Sequence, residues 1–297
     1  MMLGGVEAGG TKFVCVAGSS AEHIVSEARF PTSTPEETLA AATGFFSDFA
    51  SSHSRLEALG IASFGPVELR RSMPDYGFIK STPKPGWSDT DITGHFYKEL
   101  GLPVGLDTDV NGAALGEGRV GAARGLSTFV YVTVGTGIGG GAVINGEVAR
   151  GLVHAEMGHV VVPRLPGDDY PGGCDFHADC LEGMASGPAL AARWGRPAEE
   201  LAGVDLSDAV ELEAFYLAAG LRNVIYTIAP ERIVLGGGVS QLPNLLTRIR
   251  VRLQQTLAGY PGLAEHKAAD FVVGAALGGR AGVTGALVLA EMAARET

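Results

Sequence analysis

Leu3-Gly4-Gly5-Val6-Glu7-Ala8-Gly9-Gly10-Thr11-Lys12-Phe13-Val14-Cys15-Val16-Ala17 decides how the rest of the chain is read. Leu3–Ala8 has the character of a strand, Gly9-Gly10-Thr11 turns, and Lys12–Ala17 returns as a second strand. The same order recurs further on. Phe129–Val134 is a strand, Gly135-Thr136-Gly137 turns, and Gly141–Ile144 returns, closed by Asn145-Gly146, a hairpin turn of the type that demands positive φ.

Outward from the first hairpin, Ile24–Phe30 reads as a third strand. Thr34, Pro35 and Glu37 then form a helix start with a capping box and a proline in the first turn, and the helix runs to about Ala50. A strand follows at Ala58–Ser63, then a loop rich in Pro and Gly through Lys84-Pro85-Gly86-Trp87. The strand Val104–Asp107 leads into a helix beginning near Val110. After the second hairpin come an irregular insertion at about 152–185, a helix from Asp208 to Ile228 and the strand Ile233–Leu235. A helix near Pro243–Leu257, the strand Phe271–Val273 and a helix from about Gly282 finish the chain.

The pattern is a duplicated, hairpin-led α/β unit interrupted by an insertion. At 297 residues two lobes are expected. The boundaries are 1–112, completed by the C-terminal helix 283–297, and 113–282 with the insertion inside it. No Pro- or Ser-rich linker separates the halves, which favours lobes packed around a cleft over independent modules.

Hydrophobic content of 46% and charged content of 19% describe a globular protein. A formal net charge of −11 argues against a broad nucleic-acid or anionic-membrane surface. Glycines, Thr133, Thr136 and Asn145 break up the charge-free stretch Leu126–Gly146 and argue against a spanning helix. No secretory pattern opens the sequence, and three cysteines do not make a disulfide scaffold, so a cytoplasmic enzyme is expected. Glycine is the outlier at 44 residues, about twice the usual share.

Glycines let backbone N–H groups converge on a phosphate without a Cβ in the way. Glu7, Gly9, Gly10, Thr11 and Lys12 supply one such turn with a hydroxyl and an ammonium. Gly135, Thr136, Gly137 and Gly139 supply another. Either alone can be a plain hairpin turn; two at equivalent places point to phosphate binding. A P-loop requires Gly-Lys-Ser/Thr ahead of a helix, and a dinucleotide fingerprint must open a helix. Here the order is Gly-Thr-Lys, and strands follow both turns. A third cluster, Gly236, Gly237 and Gly238, follows a strand and could lie against an adenine ring.

Asp107-Thr108-Asp109-Val110-Asn111 ends a strand and starts a helix. Phosphoryl transfer to a hydroxyl needs a carboxylate near the attacking oxygen, with Mg²⁺ neutralising phosphate charge. A carboxylate at a strand's C-terminal edge is well placed for this, although either aspartate could equally cap the helix. In the insertion, His159, Cys174, His177 and Cys180 supply two imidazoles and two thiols, enough for a tetrahedral zinc. A Cys174–Cys180 disulfide or unconnected residues are the alternatives. His154-Ala155-Glu156-Met157-Gly158-His159 is not the metalloprotease His-Glu-x-x-His, since its histidines are not four apart.

Glu7–Lys12, Thr108–Glu117, Gly135–Gly140, Glu156–His159, Cys174–Glu182 and Leu235–Val239 occur in the order seen in ROK-family sugar kinases, which the chain resembles along essentially its whole length. The similarity is greatest to bacterial ROK fructokinases, through Ser63–Pro66, Ser81–Trp87 and Leu181–Pro188. The resemblance implies a two-lobed hexokinase/actin-like (ribonuclease H-like) fold with ATP in the interdomain cleft. It implies Asp109 as general base and Gly65, Asn111, Glu156, His159 and Glu182 as sugar contacts. It also implies a structural zinc, Mg²⁺ near Glu7 and Asp109, Thr136 and turn amides on the transferred phosphoryl group, and a homodimer. Glucokinase, mannokinase and N-acylhexosamine kinase are rivals within that class, and a sugar-sensing regulator lies outside it.

Three positions depart from the family pattern. Glu7 stands where the first motif usually has Asp. Thr108 replaces the usual Asn before the catalytic Asp, removing an amide that could bridge two glucose hydroxyls. His177 stands where a third Cys is usual.

Overall fold

In a computed structural model, which describes residues 1–296, the chain divides into two compact units. The first contains residues 1–125, 148–154 and 279 onward; the second contains 126–147 and 155–278.

The first unit opens with β1 (Leu3–Ala8), β2 (Lys12–Ser20) and β3 (His23–Pro31), an antiparallel meander. Helix α1 (Pro35–Ser52) starts where the sequence places it, with Thr34 Oγ1 accepting the Glu37 N–H. The predicted box is only half made, because Glu37 Oε2 accepts from Ser33 Oγ instead of reaching back to a backbone N–H. Strand β4 (Ala58–Ser63) is followed by the two-residue pair β5 (Phe78–Ile79) and β6 (Thr90–Asp91). Helix α2 (Ile92–Leu100), capped by Asp91 and ended by left-handed Gly101, lies in what the sequence reading left without an element. Then come β7 (Val104–Thr108) and α3 (Asp109–Val120).

The second unit repeats the plan. It has β8 (Phe129–Val134), β9 (Ile138–Ile144) and β10 (Glu147–Val148). Helices α4 (Leu181–Ala185), α5 (Gly187–Trp194) and α6 (Gly203–Ile228) follow, then β11 (Arg232–Gly236), α7 (Leu245–Leu257) and β12 (Val272–Gly274). The last helix, α8 (Ala281–Arg295), returns to the first unit.

The two five-stranded sheets have equivalent orders, β3-β2-β1-β4-β7 and β10-β9-β8-β11-β12. In each, an antiparallel hairpin sits beside two strands parallel to its first member.

Much of the glycine excess serves helix-on-sheet packing rather than turns. Gly5, Gly60 and Gly105 are register partners in a row across β1, β4 and β7. A Cβ on Gly60 would stand 1.9 Å from the Ala286 carbonyl oxygen, and one on Gly105 2.4 Å from that of Leu289, so α8 lies directly on the sheet backbone. Helices α3 and α8 also touch through backbone: a Cβ on Gly285 would meet the Gly112 carbonyl oxygen at 1.7 Å. This contact explains why the first unit runs through α3 to Gly125, where the sequence reading drew its boundary after residue 112. The core of this unit also buries Phe13, Phe46, Trp87 and Phe96, with the Trp87 Nε1–H donating to the Ser33 carbonyl.

Candidate functional site

In the first unit the turn after β1 is closed by a bond from the Gly9 N–H to the Lys12 carbonyl at 3.0 Å, and the Thr32 hydroxyl donates to the Gly9 carbonyl at 2.6 Å. Nothing lies within 4 Å of a Cβ built on Gly10, and Thr11 and Lys12 are exposed, so the turn presents an open face. Glu7, just before it, accepts the Val283 N–H at the start of α8. Burial, and next the Asp109 carboxylate, push Glu7 up to about 7. Its Oε2 is buried without a hydrogen-bond partner. An orphaned carboxylate oxygen near a second carboxylate is an oxygen donor set that fits a hydrated Mg²⁺, against the smaller opposing fields of Lys12 and Arg29.

The end of β7 resolves which residue caps α3. Thr108 is the N-cap, its Oγ1 accepting the Asn111 N–H at 3.2 Å, with its side chain buried. Asp109 Oδ1 accepts its own neighbour's N–H, that of Val110, at 2.9 Å. Asp107 is fully buried and bonds both the Thr108 N–H and the Asn111 side-chain amide. Neither aspartate is therefore the N-cap residue, and Asp109 adds an acceptor for a first-turn N–H from inside the helix. Gly65 lies beside His154, whose Nε2 is 3.4 Å from where a Cβ on Gly65 would be.

In the second unit the Gly135 N–H donates to the Gly137 carbonyl, and the Gly187 N–H, at the start of α5, donates to the Gly135 carbonyl at 2.7 Å. Glu182 Oε2 accepts the Ile138 N–H at 2.8 Å. A Cβ on Gly135 would meet nothing within 4 Å, and Thr136 is exposed, so this turn also presents an open face. Beside it opens a mainly apolar cavity of about 640 Å³, lined among others by Thr136, Pro188, Ala191, Gly238, Val239 and Leu242. Its size suits a nucleoside.

Of the third glycine cluster only Gly238 reaches this wall. Gly236 makes room for the Tyr131 hydroxyl, and Gly237, at φ +86°, passes against the Val134 backbone. The sequence reading did not find Ala191 or the residues after Val239. Pro188 and Val239 stood in quoted motifs, but apolar wall residues carry no signal of their own.

The segment 156–159 packs on β9: a Cβ on Gly158 would stand 1.9 Å from the Ile138 carbonyl oxygen, and Met157 fills the space beside Gly140. This places His159 at the four-residue cluster. His159 Nδ1 is 3.7 Å from Cys174 Sγ and 3.5 Å from Cys180 Sγ, and His177 Nδ1 is 3.9 Å from Cys174 Sγ. All four ligand atoms lie within 4.8 Å of one another. A tetrahedron with ordinary zinc–sulfur and zinc–nitrogen bonds has an S···N edge of about 3.6 Å. The cluster therefore fits zinc. Burial and the neighbouring Cys174 thiol push the Cys180 thiol up, a cost that a bound cation offsets. Arg164 ties the loop together, donating to Asp179 and to the Tyr170 and Pro171 carbonyls.

No helix among the described residues is long and apolar enough to cross a membrane.

Comparison with known proteins identifies the family. The ROK family model matches residues 3–293. A fructokinase from Zymomonas mobilis subsp. mobilis is 43% identical, covering 97% of this chain and 96% of its own. A fructokinase from Pediococcus pentosaceus is 38% identical over 99% of both chains. The crystal structure of a ROK hexokinase from Thermus thermophilus superposes with a TM-score of 0.83 at 30% identity, covering all of both chains.

Proposed function

The chain belongs to the ROK family, and on that premise we propose that it is an ATP-dependent fructokinase, transferring the γ-phosphate of ATP to D-fructose to give fructose 6-phosphate. The observation that carries the kinase reading is the division of labour at the start of α3. Thr108 caps the helix, and Asp109, the first residue of α3 just past the end of a buried strand, carries the carboxylate we assign to proton transfer. The identity of the sugar is supported by the two fructokinases, 43% and 38% identical across nearly the full length. Thr108 agrees with it, since a capping hydroxyl stands where a glucose-binding amide is usual.

In this reading Asp109 takes the proton from the attacking sugar hydroxyl as the new phosphorus–oxygen bond forms and the bond from the γ-phosphorus to the bridging oxygen breaks, releasing ADP. Gly65, Asn111, Glu156, His159 and Glu182 contact the sugar. The amides of the two glycine turns and the Thr136 hydroxyl bind phosphate oxygens, and Lys12 adds charge. The cavity beside Thr136 takes the nucleoside. Glu7 and Asp109 would hold Mg²⁺, which would supply neutralisation of the phosphate charge. His159, Cys174, His177 and Cys180 would hold a structural zinc. His159 turns Nδ1 to the sulfurs, which leaves Nε2 for a sugar hydroxyl. A zinc-binding dithiol suits the reducing cytoplasm, where we place the enzyme as a homodimer.

An ADP-release assay over fructose, glucose, mannose and N-acetylmannosamine tests this, with fructose expected to give the highest kcat/KM. Asp109→Asn should lower kcat by about 10²–10⁴-fold. Near-normal turnover in that variant would remove Asp109 as the base, and a preference for another hexose would reassign the substrate.

A further inference from the structure

We propose that Arg150, acting through Asp107, is a positioning residue that fixes the side-chain amide of Asn111 with its carbonyl oxygen toward the sugar. This rests on the reading of Asn111 as a sugar contact. Arg150 lies in the segment 148–154, which crosses back into the first unit after the second hairpin. Its Nε and Nη2 both donate to Asp107 Oδ2, at 2.9 and 2.5 Å. The other carboxylate oxygen, Oδ1, accepts the Thr108 N–H at 2.8 Å and the Asn111 Nδ2–H at 2.6 Å. Four donors thus converge on one fully buried carboxylate, filling the acceptor positions that a carboxylate has.

The consequence falls on Asn111. An amide can turn over and exchange its oxygen for its nitrogen, presenting a donor where an acceptor stood. A carboxylate beside Nδ2 forbids that exchange, because the flipped amide would set its carbonyl oxygen against Asp107 Oδ1. The Asn111 amide oxygen has no protein donor among the described residues, so its acceptor capacity stays available for a hydroxyl. Arg150 in turn holds the carboxylate. Its fork engages a single oxygen and leaves the other for the amide, a geometry that a lysine point charge would not reproduce.

The same crossing segment carries His154, which stands against Gly65, the second sugar contact of this unit. One short stretch of chain therefore bears on two of the residues assigned to the sugar, Gly65 through His154 and Asn111 through Asp107, neither of them near it in sequence. Arg150 is 42% exposed in its side chain while Asp107 is fully buried, so Arg150 also supplies the cation that this buried carboxylate needs, and folding is therefore read alongside the kinetics.

The test uses the full-length protein with Arg150→Met and Arg150→Lys. Fructose KM, ATP KM and kcat are read by ADP release, fructose binding without ATP by calorimetry, and folding by circular dichroism. The expected result for Arg150→Met is a rise in fructose KM and Kd of about tenfold or more with ATP KM within about twofold, and partial recovery in Arg150→Lys. A folded Arg150→Met with fructose KM and Kd unchanged would overturn the proposal, as would equal rises in both substrate KM values. Should Arg150→Met fail to fold, Arg150→Lys decides: an unchanged fructose KM there refutes the relay, and a selective rise supports it. The kinase reading is judged separately by wild-type turnover. If the wild type bound fructose without phosphorylating it, the shift in Kd would still decide the relay.

Discussion

Glu182 reaches back 44 positions along the chain to accept the Ile138 N–H at 2.8 Å, tying the first turn of α4 to the second glycine turn. Its Oε2 would stand 2.7 Å from a Cβ on Gly137. A residue assigned from the family resemblance to the sugar thus also braces the turn proposed to bind phosphate.

Glu182→Ala should therefore raise the KM for ATP as well as that for fructose, by about tenfold each, since a partly buried N–H left without its partner costs about 1–3 kcal/mol. Glu182→Gln keeps an acceptor and should change the ATP KM less. Steady-state kinetics with each substrate varied checks this; an ATP KM unmoved in Glu182→Ala would remove the bracing role.

Gly282 is the floor under Glu7. A Cβ there would lie 2.5 Å from Glu7 Cδ and 2.8 Å from Cγ, so Gly282→Ala must push the carboxylate off the Val283 N–H. The expected loss is about 1–3 kcal/mol of stability, with a weaker apparent affinity for Mg²⁺. Glu7→Asp shortens the side chain and should recover part of that loss in the double variant. Strictly additive effects, measured by denaturant melts, would show that the two positions do not touch.

Metal analysis should find one zinc per chain. Its removal by a chelator should lower Tm and raise the fructose KM, because the loop holding the ion also holds Glu156 and His159. His177→Cys should retain zinc more firmly, as a third thiolate replaces a neutral imidazole. Unchanged kinetics in metal-free protein would restrict the ion to a stabilising role.

Glu213, in α6, is wholly buried, and neither carboxylate oxygen has a hydrogen-bond partner. Burial pushes its pKa well above the usual carboxylate value, against a smaller opposing pull from Arg193. The unfolded chain releases this proton near the ordinary glutamate pKa, about 4.3. The folded protein therefore holds more protons above that pH, and stability falls as pH rises from there toward the raised folded value. Glu213→Gln has no proton to hold, so its Tm should decline less between pH 5 and pH 8, the gap over wild type widening with pH. Parallel pH profiles of Tm for the two proteins would contradict this.

Sequence alone determined the features that depend on a few neighbouring residues. The two glycine turns, the Thr34 cap and the hairpin-led repeat are local devices whose spacing is visible in the chain, and the structure has all three. The four zinc-type ligands were legible for a different reason: rare residue types with metal affinity stand out wherever they lie. Helix α2 was missed because its cap, Asp91, and its end, Gly101, enclose only nine residues.

Tertiary structure decided what depends on faces meeting. The order of the sheets, the return of α8 onto the row Gly5, Gly60 and Gly105, and the reach of Arg150 to Asp107 join residues far apart in the chain. A glycine that lets a helix lie on a sheet reads no differently in sequence from one that opens a phosphate turn. Likewise, Asp107 and Asp109 are both carboxylates at the start of one helix. Only the partners folded against each distinguish the one proposed to orient an amide from the one proposed to take a proton.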